Sequence, residues 1–272
     1  MQGVVFKETL RRHWRGLMFW AIGIALIGAA QVFTLPDVSA LKDYAKLMAT
    51  LPPALIQAVG GGDAQFFATP AGYLASQYYG IALVIYAIYA LVLGLKITTA
   101  EEDRGIMDIV LTLPIPRWRL IVERLLAYAL CVLAVTLISF VCMWGSLLAT
   151  PGLEIDTGLL FTATINVLPG ALLVLAFTTL AGTLLRRRGT AIAVSVVFVI
   201  GSYFIDFLGA AASGSLADTL RVLSFFRYYD ETSVMQHGLE WGNVAVLVVA
   251  AALCVIGALW SFERRDIATA AQ

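Results

Sequence analysis

The chain has 272 residues, of which 60% are hydrophobic and only 13% carry a charged side chain. A soluble globular domain has roughly a quarter charged residues, so this composition excludes an ordinary soluble domain. The 18 basic and 18 acidic residues give a formal net charge of zero, and the sequence therefore offers no basic excess for binding nucleic acid.

Six apolar stretches follow one another along the chain, near residues 17–35, 75–97, 120–149, 158–185, 191–212 and 244–262. A membrane-spanning helix needs about 20 mostly apolar residues, so each stretch is long enough to cross a bilayer. The third and fourth are long enough to favour tilted or projecting helices. No linker or internal repeat divides the chain. We therefore predict an all-α membrane protein whose residues 1–272 form a single transmembrane domain.

The Lys and Arg residues outside these stretches predict the orientation. Fourteen of the 18 lie on the side that both termini share. The other side has only Lys42, Lys46, Arg221 and Arg227. Because cytoplasmic loops carry the basic excess, we expect a multi-pass protein of the cytoplasmic (inner) cell membrane with both termini in the cytoplasm.

The residues before the first span form an amphipathic pattern. An apolar face, comprising Val5, Phe6, Leu10 and Trp14, alternates with basic residues, namely Lys7, Arg11, Arg12 and Arg15. Such a helix can lie at a membrane surface, with its basic side chains near lipid phosphates.

The segment between the second and third spans carries a pattern typical of a short amphipathic helix. Three acids open it and offset the partial positive charge of a helix N-terminus. Apolar residues then recur at helical spacing, and two prolines end the helix. In this order the residues are Glu101, Glu102 and Asp103; Ile106, Ile109, Val110 and Leu113; and Pro114 and Pro116. A surface helix that simply lies at the interface is the alternative interpretation.

A few polar residues inside the spans are candidates for a substrate path. Asp206 is the one acid well inside a predicted span, where a carboxylate costs about 2.5–3.5 kcal/mol on insertion scales. It either binds a cationic substrate or a proton, or it lies near the outer end and pairs with Arg221 or Arg227. Weaker candidates are Asn166 in the fourth span and Gln77 and Tyr78 at the start of the second.

The sequence contains no motif for chemistry of its own. It has no G-x-x-x-x-G-K-[ST], no H-E-x-x-H and no G-x-S-x-G, so we predict no catalytic residue and no cofactor bound by this chain. His13 and His237 are predicted on opposite sides of the membrane, which argues against a two-histidine metal site. The three cysteines, Cys131, Cys142 and Cys254, lie in apolar stretches and are interpreted as packing residues.

The segment that starts at Glu101 resembles the coupling region of ABC transporter permeases of the type-2 exporter class. Those permeases typically show E-x-x-x-G-T, a leucine-rich turn and P-[VI]-S-R. The matching positions are Glu101, Gly105, the run 109–113, Pro114, Ile115 and Arg117. Ile106 stands where threonine is usual, and Pro116 where serine is usual. Residues 262–267 and 224–230 are also similar to segments of such permeases.

The resemblance implies the transmembrane subunit of an ATP-driven exporter. Such a subunit works with a second copy of itself or a related permease, and with two separate ABC ATP-binding subunits that hold ATP and Mg. The implied ATPase-coupling residues are Glu101, Glu102, Asp103, Arg104, Gly105, Ile109, Leu113, Pro114 and Arg117. Residues 5–14 would form a connecting helix along the membrane, with Phe6, Lys7, Arg11 and Trp14 as its candidate residues.

Two other functions stay open at this point. One is a secondary, ion-coupled transporter with Asp206 as its ion site, which the lack of an inverted repeat weakens. The other is an intramembrane enzyme, which the lack of a paired nucleophile and base weakens.

Overall fold

The computed structural model describes residues 3–35, 64–67, 69–98, 116–150, 155–185, 187–211 and 216–264, with isolated positions between 41 and 52. This part of the chain contains helices and no strand. Six of the helices are long and apolar enough to cross a membrane. The structure therefore confirms the predicted all-α fold with six spans.

The six long helices are labelled α1–α6 in chain order. They are α1 (Val4–Phe33), α2, α3 (Arg117–Leu148), α4 (Thr157–Leu184), α5 (Arg188–Ala211) and α6 (Trp241–Glu263). α2 is a continuous helix of three parts: the α-helical Pro70–Leu74, the π-helical Ala75–Tyr79 and the α-helical Gly80–Thr98. Each predicted span overlaps one of these helices.

Shorter elements precede α2 and connect α5 to α6. Ala64–Phe67 is one helical turn. The connection between α5 and α6 contains the helices Leu216–Leu220 and Glu231–His237 and the 3₁₀ turns Arg221–Leu223 and Phe226–Tyr228. Residues 216–240 are called the α5–α6 connection below.

The amphipathic N-terminal stretch and the first span form one uninterrupted helix. α1 has 30 residues and is therefore about 45 Å long. The hydrocarbon core of a bilayer is only about 30 Å thick, so about ten residues of α1 are in excess of what a perpendicular span requires. The residues predicted as a separate connecting helix are thus the first turns of α1.

α4 is the most buried of the six long helices and contacts α2, α3, α5 and α6. Within the protein, 67% of the most apolar 18-residue stretch of α4 is buried, compared with 11% of the corresponding stretch of α6. Close approach of α2 and α4 depends on Gly94, where a Cβ would lie 2.7 Å from the Cβ of Thr178. Small residues allow helices in membranes to approach closely and gain dispersion energy. α2 and α4 therefore form the core, and α5 and α6 leave more apolar surface exposed.

Candidate functional site

Three helix ends meet at what we call the N-terminal end of the bundle. The Glu123 carboxylate of α3 accepts hydrogen bonds from the backbone N–H groups of Gly3 (3.4 Å) and Phe6 (3.1 Å) at the start of α1. Arg119 Nε donates to the same carboxylate at 2.8 Å. The first N–H groups of a helix have no acceptor within it. Glu123 supplies that acceptor and so ties α1 to α3.

The end of α2 joins the same cluster. Lys96 Nζ lies 3.0 Å from His13 Nε2 of α1, and the His13 ring packs edge-on against the Tyr128 ring of α3. Arg124 of α3 donates to the carbonyl oxygen of Ile97 at 3.0 Å, where the last carbonyls of α2 lack helical donors. The two helices that flank residues 99–115 are therefore bound to each other and to α1.

The α5–α6 connection folds back over the opposite end of the bundle. Ser224 Oγ donates to the carbonyl oxygen of Ser202 on α5 at 2.7 Å. The Asn166 side chain of α4 donates to the carbonyl oxygen of Tyr229. The Tyr229 hydroxyl donates in turn to the carbonyl oxygen of Tyr79 on α2 at 3.1 Å. Buried hydrogen bonds thus fasten the connection to three helices.

A cavity of about 170 Å³ lies between α2, α5 and this connection. Ser76 and Gly80 of α2, Asp206 of α5 and Glu231 of the connection form part of its wall. The remaining wall is aromatic and consists of Tyr203, Phe207, Phe226 and Tyr229. The cavity adjoins the π-helical part of α2, and π segments frequently occur at functional sites.

The two carboxylates of the cavity have different environments. Arg221 Nε donates to Asp206 Oδ1 at 2.7 Å, so Asp206 is paired with one of the two partners that the sequence allowed. Glu231 has no ion pair among the described residues. Burial raises the pKa of Glu231 to about 7, and the negative charges of Asp230 and Asp206 act in the same direction. At neutral pH, Glu231 is therefore divided between its protonated and ionised forms.

A comparison with known protein families gives a match over almost the whole chain. The chain matches the ABC-2 family transporter proteins over residues 4–267. It belongs to this family. The resemblance seen in the sequence is confirmed, and the chain is a permease, a membrane transport subunit that is not itself catalytic. A comparison with curated proteins found no match.

The predicted ATPase-coupling residues of the permease fall almost entirely outside the described part of the chain. These are Glu101, Glu102, Asp103, Arg104, Gly105, Ile109, Leu113 and Pro114. Arg117 is the first residue of α3, and its side chain is not described. The predicted cytoplasmic helix of residues 101–113 therefore stays a prediction.

The candidate residues at the start of α1 divide into two groups. Phe6 donates its backbone N–H to Glu123, whereas Lys7, Arg11 and Trp14 are exposed.

Sequence reasoning missed the structural role of Glu123. Its signal was a charged residue just inside an apolar stretch, where a partner is required.

Of the four substrate-path candidates, only Asp206 lines the cavity. Asn166 is buried and bound to the connection, and Tyr78 is buried and shares a 2.9 Å hydrogen bond with Ser139 of α3. Gln77 is exposed on the π-helical part of α2. Sequence reasoning missed Glu231, which directly follows residues 224–230, a segment that it did identify by resemblance. Within the described residues, no group of three or more His, Cys, Asp or Glu side chains could hold a metal ion.

Proposed function

We propose that this permease forms the substrate path of an ATP-driven exporter. It would work as a homodimer or with a related permease, together with two ABC ATP-binding subunits that carry ATP and Mg. Its termini and residues 101–113 would face the cytoplasm, where those subunits obtain ATP. The basic residues on the terminal side of the chain support this orientation.

The polar cluster at the N-terminal end carries the proposal. Glu123 joins α3 to α1, and Arg124 joins α3 to the last turn of α2. An ATP-binding subunit that docked on residues 101–113 would therefore act on three helices together rather than on a loose loop. This is the mechanical connection that conversion of ATP hydrolysis into helix movement requires.

The secondary-transporter alternative has less support. Its ion site would be Asp206, but Arg221 already compensates the charge of that carboxylate at 2.7 Å.

The apolar surfaces of α5 and α6 support pairing with a second permease. Only 22% and 11% of the most apolar 18-residue stretches of these helices are buried within the chain.

The proposal is tested by co-expressing the permease with a candidate ABC ATP-binding protein from the same genome and purifying the complex through the permease. We expect the ATP-binding protein to co-purify and to hydrolyse ATP in proteoliposomes. Glu101→Ala and Gly105→Ala should reduce that hydrolysis severalfold while the permease still inserts into the membrane. Glu240→Gln is the matched control, because Glu240 is an exposed acid at the opposite end.

Two results would count against the proposal. If no ATP-binding protein co-purified, the exporter function would be wrong. If it co-purified but both variants hydrolysed ATP like the wild type, the coupling role of residues 101–113 would be wrong.

A further inference from the structure

The cavity at the opposite end of the bundle has two carboxylates in its wall but only one ion pair among the described residues. Arg221 balances Asp206, whereas Glu231 has no ion pair among the described residues. Its Oε1 faces α2, since a Cβ built at Gly80 would lie 3.7 Å from that atom. Asp230, the preceding residue, adds a further negative charge nearby, and the Arg221 charge acts on Glu231 in the opposite direction. The cavity therefore presents a net negative potential to its contents.

Aromatic rings in contact with one another line the same cavity as this carboxylate. The Tyr203 ring contacts the Phe226 ring edge-on at 5.4 Å and stacks with the Phe207 ring at 6.5 Å. Ring faces attract cations through their quadrupole, and this attraction reaches about 2 kcal/mol or more when the cation is desolvated. Rings and carboxylate thus favour the same kind of ligand.

The ligand set distinguishes an organic cation from a metal ion. Ca²⁺ takes six to eight oxygen ligands, and Mg²⁺ demands octahedral oxygen geometry. The described residues provide no cluster of three or more side chains suited to either ion. Aromatic cages around ammonium groups are the usual protein solution for organic cations.

The volume sets the size of the ligand. An apolar cavity of about 150 Å³ accommodates benzene, and the present cavity measures about 170 Å³. It therefore has room for a group the size of tetramethylammonium. Ser76 adds a hydroxyl to the wall, which suits a ligand with a polar substituent such as choline.

We propose that this cavity binds a small alkylammonium group, with Glu231 as its counter-ion and Tyr203, Phe207 and Phe226 around its methyl or methylene groups. The ammonium group belongs either to a free amine or to a lipid headgroup. Binding requires neither ATP nor an ATP-binding subunit, so it can be tested on the purified permease whatever the outcome for the exporter function.

The first test is isothermal titration of the permease in detergent with choline and with its neutral isostere, 3,3-dimethylbutan-1-ol. We expect choline to bind at least about tenfold more tightly, which corresponds to about 1.4 kcal/mol. Equal affinities would overturn the proposal, because the two molecules differ chiefly in charge.

The second test removes the charge of the counter-ion. Glu231→Gln keeps the size of the side chain and should abolish the preference for choline over the isostere. Glu240→Gln removes an exposed charge at the same end of the bundle, outside the cavity wall, and should leave that preference unchanged. A Glu231→Gln permease that still preferred choline would overturn the assignment of Glu231.

The wild-type permease provides a test that needs no variant. A bound cation favours the ionised carboxylate, and the pKa of Glu231 is about 7 in the free protein. Choline binding at pH 7 should therefore release a fraction of a proton, measured as the dependence of binding enthalpy on buffer ionisation enthalpy. Binding without proton release would contradict a role for Glu231.

Nanodiscs distinguish the two sources of the ammonium group. If lipid headgroups occupy the cavity, choline will bind more weakly in phosphatidylethanolamine discs than in phosphatidylglycerol discs. Equal and measurable affinity in both discs indicates a free amine as the ligand. Absence of choline binding in both detergent and phosphatidylglycerol discs would overturn the proposal.

Discussion

The contact between α2 and α4 allows a stability prediction with a defined magnitude. Replacing Gly94 with alanine would place a Cβ 2.7 Å from the Cβ of Thr178 and 3.0 Å from the carbonyl oxygen of Leu175. Non-bonded carbon atoms prefer a separation of about 3.5–4.0 Å, so the helices must separate by about 1 Å. Thr178 is fully buried and β-branched, and neither it nor a backbone carbonyl can easily rotate away.

Two opposing terms set the size of the effect. Overpacking of a buried contact costs about 1–3 kcal/mol. Alanine gains up to about 1 kcal/mol over glycine from its higher helix propensity. We therefore expect Gly94→Ala to lower the free energy of unfolding by about 1 kcal/mol, and by no more than about 2 kcal/mol after the propensity gain. Gly145→Ala is the matched control, because among the described residues no heavy atom beyond the local helix backbone lies within 4 Å of a Cβ at Gly145 of α3.

Thermal unfolding in detergent, followed with a thiol-reactive dye, measures this difference. Cys131 is a free thiol with 0% exposure, whereas Cys142 and Cys254 are only partly buried. All variants are therefore made in a Cys142→Ala, Cys254→Ala background, so that the dye reports the exposure of Cys131. Gly94→Ala should unfold at a lower temperature than the wild type, and Gly145→Ala at the same temperature or higher. If Gly94→Ala unfolded at a temperature equal to or above those of the wild type and Gly145→Ala, the close contact at Gly94 would not limit the packing of α2 on α4.

Three further predictions concern the end of the bundle that carries the α5–α6 connection. Tyr229→Phe removes the hydrogen bond to the carbonyl oxygen of Tyr79 and should cost about 1 kcal/mol; an unchanged unfolding temperature would mean that this bond does not hold the connection. Because the pKa of Glu231 is raised from 4.5 to about 7 in the folded protein, the folded state binds more protons than the unfolded state between these pH values. The stability that Glu231 contributes therefore decreases as pH rises from about 4.5 to 7. The unfolding temperature, measured from pH 5 to 8, should fall less steeply with pH in Glu231→Gln than in the wild type. Arg221→Gln leaves the Asp206 carboxylate without its ion-pair partner, and adding Asp206→Asn should restore part of the lost stability; a double variant no more stable than Arg221→Gln would contradict the pairing.

The six helices were predictable because a bilayer permits few alternatives. Backbone groups in hydrocarbon must be satisfied within the segment, so a long apolar stretch indicates a helix almost regardless of its neighbours. Asp206 was partly predictable for a similar reason, since a carboxylate in that position requires a partner. Arg221 was one of two candidates, and only the folded connection distinguishes it from Arg227.

The cavity was not predictable, because its wall comes from elements that are far apart in the chain. Glu231 becomes enclosed only when Asn166 and Tyr79 bind the connection through Tyr229. The π-helical part of α2 also has no reliable sequence signal, because its residues suit an ordinary helix. The resemblance identified residues 224–230 but not the helices against which they pack.

The Glu123 cap has a consequence for the order of biosynthesis. The cap joins residues that are 120 positions apart, and a ribosome adds about 5–20 residues per second. The start of α1 therefore leaves the ribosome on the order of ten seconds before its acceptor is made. During that interval the first helix depends on water or lipid headgroups for its unpaired N–H groups, and its final position is set only after the third span has been synthesised.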